Sequence, residues 1–221
     1  MAKRDNGSLG AKVKVRKAVM TRGASVLEFF AGSGAMYRHV WSAASFGACM
    51  DIDEAKVQAA AYEREAWACY HGDTIRAVLH GFMGHVPFDI VDIDAYGSPW
   101  VGVEAWFRSK RERAPVTTLV VTDGTWSKLG MSGLPKVLLA SRDEDRKNGW
   151  TVERYFERVH SKLDLWALGA GLNIESMTIQ APNKVRGNPH AIKMAQYTIR
   201  VQNNRGDRSD GIAPNQTEGM A

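Results

Sequence analysis

The chain has 221 residues, 44% apolar and 24% charged, which suits one soluble domain with a sizeable core and is short for two. No apolar run approaches the ~18 residues that span a bilayer, and the N-terminus lacks the apolar core of a secretory signal, so a cytoplasmic protein with no membrane partner is expected. Two cysteines, Cys49 and Cys69, exclude a disulfide framework, and six scattered histidines, with no third ligand beside His80 and His85, argue against a metal site.

The formal charge of +5 is unevenly spread. Residues 1–22 carry Lys3, Arg4, Lys12, Lys14, Arg16, Lys17 and Arg22 against a single Asp5. This reads as a basic N-terminal arm whose Lys12, Lys14, Arg16 and Lys17 can neutralise phosphates, so a nucleic acid is the expected partner. A solvated arm that serves solubility is the alternative.

A main domain is expected over residues 23–202. Ser25 to Phe30 form the first predicted strand, apolar enough to be buried on both faces as in a parallel sheet. A helix is predicted from Ala35 to Phe46, with Met36, Val40 and Ala43 at helical spacing and Gly47 ending it. Ala48 to Ile52 read as a second strand and Glu54 to Trp67 as a helix of good formers. Cys69 to His71 form a short third strand before a helix from Thr74 to Phe82. The alternation of strand and helix is the signature of an α/β sheet.

Pro87 introduces a fourth strand, Phe88 to Ile93, after which Ser98 and Pro99 start a helix carrying Val103, Trp106 and Phe107. Thr117 to Thr122 are a β-branched fifth strand. Residues 125–149 read as loops and short helices. Val152, Phe156, Val159, Leu163, Trp166 and Ala170 then align on one helix face as core residues, and Gly171 caps that helix. Ile174 to Gln180 and Ala191 to Val201, with no helix between them, imply an antiparallel hairpin joined by a link containing Pro182, Gly187 and Pro189. The polar, aperiodic residues 203–221 read as a disordered tail.

The glycine-spaced turn after the first strand is the part that can hold a nucleotide-like cofactor. It departs from the dinucleotide fingerprint, because Tyr37 stands where a third small residue is needed for close helix–strand packing. An acidic residue about 20 positions beyond the glycines, at the end of the next strand, can accept both ribose hydroxyls. Asp51 is in that place, and Asp53 reads better as the cap of the next helix. Asp73 caps the helix from Thr74 or contacts a ligand; the two roles are compatible. After the fourth strand, Asp94 offers an acceptor and Tyr96 a stacking ring, the pair needed to hold an amino-bearing base. A helix cap and a core aromatic are the plainer readings of these two.

Glu28, Phe30, Gly32 and Gly34 match Glu-x-Phe-x-Gly-x-Gly, and the stretch resembles the first motif of the class I S-adenosylmethionine-dependent methyltransferases. The resemblance implies a Rossmann-like α/β fold: a mostly parallel seven-stranded sheet with a C-terminal antiparallel hairpin and helices on both faces. It implies S-adenosylmethionine as cofactor, with contacts from Glu28, Phe30, Ala31, Gly32, Gly34, Asp51, Ile52, Asp73 and Asp92. Asp92-Ile93-Asp94-Ala95-Tyr96-Gly97-Ser98-Pro99 looks like the Asp-Pro-Phe/Tyr-Gly-Ser motif of the tRNA guanine-N2 dimethyltransferase family, with Ala95 in place of proline. That resemblance runs through Asp51-Ile52, His71-Gly72-Asp73 and Leu119 to Asp123. It implies methyl transfer to an exocyclic base amine of RNA rather than DNA, guanine N2 of tRNA being a candidate, with Asp94 and Tyr96 catalytic and Gly97, Ser98 and Pro99 shaping the substrate pocket. Methylation of DNA or of a small-molecule amine, and a non-catalytic cofactor-binding accessory module, are the alternatives.

Overall fold

A computed structural model describes residues 9–125, 134–139, 151–180 and 194–204. Five parallel strands, β1 (Ser25–Phe29), β2 (Phe46–Asp51), β3 (Trp67–His71), β4 (Ile90–Ile93) and β5 (Val116–Asp123), join β6 (Leu172–Gln180) and β7 (Ala195–Asn203) in one sheet. The order is β3-β2-β1-β4-β5-β7-β6, with β7 antiparallel to both neighbours. Central β4 is buried along its whole length, whereas edge strand β6 alternates and carries a bulge between Ile174 and Ser176.

Helices cover both faces. On one side α4 (Thr74–Leu79), α5 (Trp100–Arg108) and α6 (Val152–Ala170) lay Val78, Val103, Trp106, Tyr155, Val159 and Leu163 on Leu27, Ile93, Leu119 and Ile199. On the other, α1 (Leu9–Val19), α2 (Ala35–His39), the 3₁₀ turn Trp41–Ala43 and α3 (Glu54–Glu63) bring Val15, Met36, Trp41 and Ala60 to Val26, Ile90 and Val120. Of the apolar stripe predicted for α6, Val159 and Leu163 are buried and Phe156, Trp166 and Ala170 lie half-buried against the core, with Tyr155 and Ala167 completing the buried face; the Val152 side chain lies outside what is described. Gly171, at φ 71°, ends that helix in the left-handed conformation.

Three expectations change. The helix predicted to run to Phe46 stops at His39, because Val40 leaves helical geometry and Trp41 turns inward to bury its ring. Gly47, expected as a helix stop, lies inside β2, where a Cβ would come within 2.2 Å of the Trp67 ring on β3. The basic arm expected over residues 1–22 is, from Leu9 to Val19, a helix packed on the sheet. The link expected over residues 181–190, the first three residues of the strand expected from Ala191, and most of residues 125–149 and of the 203–221 tail lie outside the described residues, apart from a 3₁₀ turn at Lys136–Leu138 and the end of β7. Among the described residues no helix is long and apolar enough to cross a membrane.

Candidate active site at the strand ends

The C-terminal ends of β1, β2 and β4 open into a cleft of about 1010 Å³. Glu28, Phe30, Ala31, Gly32, Asp51, Asp94, Ala95, Tyr96 and Ser98 are among its lining residues. In open α/β sheets this is the edge where ligands bind, since strand order reverses there and neighbouring loops part. Here the reversal falls between β1 and β4.

The loop after β1 turns through three left-handed residues, Phe30 (φ 57°), Gly32 (φ 54°) and Gly34 (φ 76°). A side chain at Gly34 would carry that strain and also meet the Arg64 guanidinium at 3.0 Å. The loop is tied down by Ala31 N–H donating to the Met50 carbonyl at 2.9 Å and by Gly32 N–H donating to Asp51 Oδ2 at 2.7 Å. Asp51 Oδ1 also accepts from Asp53 N–H at 3.0 Å. A carboxylate has about four acceptor positions, so Asp51 keeps capacity for two further donors on the cleft side.

Glu28 forms the floor. Its carboxylate is 2% exposed and accepts from Arg64 Nη1 at 2.6 Å, while Arg64 also lies over the rings of Tyr37 (4.5 Å) and Trp67 (5.2 Å). Burial pushes the Glu28 pKa up to about 7, against the pull of Arg64 and with added repulsion from Asp92 and Asp94.

At the end of β4 the two aspartates differ. Asp92 is fully buried and accepts from Arg16 Nε at 2.7 Å, from Arg16 Nη2 and from Trp41 Nε1 at 2.7 Å. Asp92, expected among the cofactor contacts, does not line the cleft: it lies beneath it as the anchor of α1. Arg16 is equally buried, its guanidinium further bound to Gln196 Oε1 (3.2 Å), Thr122 Oγ1 (3.1 Å) and the Lys12 carbonyl (3.3 Å), so it has no route to a phosphate. Burial raises the Asp92 pKa, with Arg16 opposing.

Asp94 stands at the surface of the cleft, its side chain 15% exposed. Lys12 Nζ donates to both of its oxygens, at 2.7 and 2.9 Å, and Arg16 Nη2 is 4.0 Å away. Burial alone would raise its pKa, but the Arg16 and Lys12 charges prevail and hold Asp94 below the ordinary carboxylate range. Lys12, expected on a phosphate, is thus spent on Asp94. Its neighbours Lys14 and Lys17 face outward and are exposed.

Tyr96 follows at 97% exposure, its ring free at the cleft mouth. Gly97 (φ 109°) accepts from Gly124 N–H at 2.9 Å, and Pro99 leads into α5. The Ser98 hydroxyl lines the cleft, is buried and has no hydrogen-bond partner among the described residues. An orphaned buried hydroxyl of this kind is a ready contact for a polar ligand. Ile52 is 73% exposed beside Asp51, and its carbonyl oxygen lies 3.1 Å from His71 Nε2. Asp73 caps α4 by accepting from Ile75 and Arg76 N–H at 2.9 and 3.1 Å and does not line the cleft.

Sequence reasoning missed several participants. Lys12 and Arg16, four apart on one helix face, were legible only as charge; nothing marked Trp41 or Arg64 as partners of Asp92 and Glu28. It also missed the buried web behind the site, where Asp123 accepts from Tyr155 Oη, Tyr197 Oη (3.3 Å) and Thr125 N–H (2.9 Å) while Trp100 Nε1 donates to Tyr155 Oη at 2.7 Å. Burial raises the Asp123 pKa. Among the described residues no group of three or more His, Cys, Asp or Glu could hold a metal ion.

Sheet order, the single antiparallel strand β7 and helices on both faces define the class I methyltransferase fold. Solved structures of that fold are similar over nearly the whole chain. TYW2 from M. jannaschii in complex with AdoMet superposes with a TM-score of 0.60 at 9% identity, covering 91% of this chain and 79% of that one. Trm1 from Pyrococcus horikoshii with S-adenosyl-L-methionine gives 0.62 at 15% identity, covering 89% of this chain and 55% of that one. N-methyltransferase NodS from Bradyrhizobium japonicum WM9 gives 0.54 at 11%, covering 90% and 98%. No family model and no curated protein matches the sequence.

Proposed function

We propose that the chain is an S-adenosylmethionine-dependent methyltransferase acting on an exocyclic base amine of RNA, with guanine N2 of tRNA as the specific acceptor. One observation carries this reading: the Asp94 carboxylate and the free Tyr96 ring open into the same cleft as the Gly32–Gly34 loop and Asp51. The residues fit the cofactor. Gly32 and Gly34 let its methionine portion approach the backbone, the open acceptor positions of Asp51 suit two ribose hydroxyls, and Ser98 supplies an uncommitted hydroxyl. Two solved structures of this fold hold the same cofactor.

S-adenosylmethionine supplies an already activated methyl on a sulfonium, so the protein's task is alignment. Asp94, kept ionised, accepts hydrogen bonds from the amine and turns its lone pair toward the cofactor. Tyr96 stacks on the base; such stacking is worth about 1–3 kcal/mol per base. Exposed Lys14 and Lys17 are left to meet phosphates.

The test is Asp94→Asn. Calorimetry should find cofactor affinity within about 3-fold of the parent, while transfer of labelled methyl to RNA falls about 100-fold or more, the cost of losing one well-placed group. Transfer at the parent rate would remove Asp94 from the mechanism. Parallel assays on DNA and on small amines separate the RNA reading from its competitors.

A further inference from the structure

The ammonium group of Lys12 lies in the cleft against Asp94, the acceptor that the reading above gives to a substrate amine. It bridges both oxygens of Asp94, at 2.7 and 2.9 Å, and its side chain, 11% exposed, forms cleft wall together with Leu9. A buried lysine serving only to fasten α1 need not reach this atom, since Arg16 already fastens the helix to Asp92.

Resting on the base-amine reading above, we propose that Lys12 is a specificity-determining and positioning residue: laid across Asp94, it admits a neutral aromatic amine to the cleft and repels a protonated alkylamine.

The charges facing Asp94 support this. From α1 come Lys12 and Arg16; from β1 comes Glu28, itself paired with Arg64; on β4 lies Asp92, taken up by Arg16 and Trp41. β5 and β7 contribute the neutral Thr122 and Gln196. Asp94 therefore has its counter-ion already, and an incoming ammonium meets a fixed cation at hydrogen-bond range of the group it seeks. An ammonium also lacks the lone pair needed for attack. Asp94, held below the ordinary carboxylate range by Arg16 and Lys12 against burial, is too weak a base to remove its proton.

An exocyclic base amine avoids both difficulties. It is neutral at pH 7 and offers N–H groups to the acceptor positions that Lys12 leaves open on Asp94. In the transfer, the amine lone pair forms the new N–C bond and the C–S bond breaks, its electron pair staying on sulfur. The nitrogen then carries an acidic aryl-ammonium proton, which passes to Asp94 or water.

The experiment compares the parent protein with Lys12→Met, Lys12→Gln and Lys12→Arg, using labelled S-adenosylmethionine and two acceptors, a guanosine-containing RNA transcript and putrescine. The parent should label RNA and leave putrescine at background. In Lys12→Met or Lys12→Gln the acid limb of the pH–rate profile should move to higher pH, RNA turnover should fall about 10-fold to 100-fold, and the putrescine-to-RNA ratio should rise. Lys12→Arg should restore the parent profile. Labelling of putrescine by the parent, or an unmoved acid limb and ratio in both neutral variants, would overturn the proposal. NMR titration of carboxyl-labelled aspartate, without substrate, gives a readout independent of turnover. Asp94 should titrate higher in Lys12→Gln than in the parent, and an unmoved titration overturns the role of Lys12. If the parent labels neither acceptor, the base-amine reading fails on its own, while the titration still decides whether Lys12 sets the state of Asp94.

Discussion

Glu28 and Asp94 share one cleft and respond to pH in opposite ways. Glu28 starts from an ordinary value of 4.5 and is pushed to about 7, chiefly by burial, although Arg64 touches it. Between those values the folded protein holds a proton that the unfolded chain has released. The stability contributed by this proton is therefore complete below 4.5 and lost as pH rises through about 7. Asp94 is depressed, so its contribution is present at neutral pH and lost on acidification. Thermal denaturation at a series of pH values between 4.5 and about 7 should show the melting temperature of Glu28→Gln depending less on pH than that of the parent. Comparing slopes isolates this group even though the substitution also weakens the Arg64 pair. Equal slopes would mean that Glu28 titrates like an exposed carboxylate.

The element that changes most in meaning is α1. Its basic residues divide by helical phase: Lys12, Val15 and Arg16 face the sheet, while Lys14 and Lys17 face solvent. Docking depends on Arg16, because removing one partner of a buried ion pair strands the other. Arg16→Met should destabilise the fold by about 3–5 kcal/mol, measured by denaturant unfolding, since Asp92 would keep, among the described residues, only its hydrogen bond from Trp41. A loss under about 1 kcal/mol would show that the pair matters little. Charge counting took the same residues for a phosphate-binding arm. Their partners lie 76 and 82 positions downstream, beyond the reach of any local pattern. By contrast β1, β4, β5 and α6 were legible because burial on two faces, or on one helical stripe, writes itself into residue order. Where local order failed, at Val40 and Gly47, a buried tryptophan decided the outcome: Trp41 turned inward, and Trp67 fitted only against a glycine.

At the scale of the whole molecule, the cleft opens where strand order reverses, and most of the residues that the sequence grouped as a candidate site line it: the glycine-spaced turn after β1, Asp51 at the end of β2, and Asp94 with Tyr96 after β4. Depth was harder to read. Asp92 and Asp94 are two residues apart and so share a face of the sheet, yet α1 closes over the first and leaves the second at the surface. No alternation pattern separates two such residues; only the packing of a distant helix does. Asp73 likewise had two compatible roles, and the cap is the one its geometry displays.

Transfer of a methyl group from this cleft to a base amine can be read from the nucleosides of RNA incubated with the protein and S-adenosylmethionine. Mass spectrometry should find nucleosides heavier by one or two methyl groups on an exocyclic nitrogen, guanine N2 foremost, and none of them with Asp94→Asn. Methylation confined to a ribose hydroxyl or a ring carbon, or RNA returned unmodified, would refute base-amine transfer.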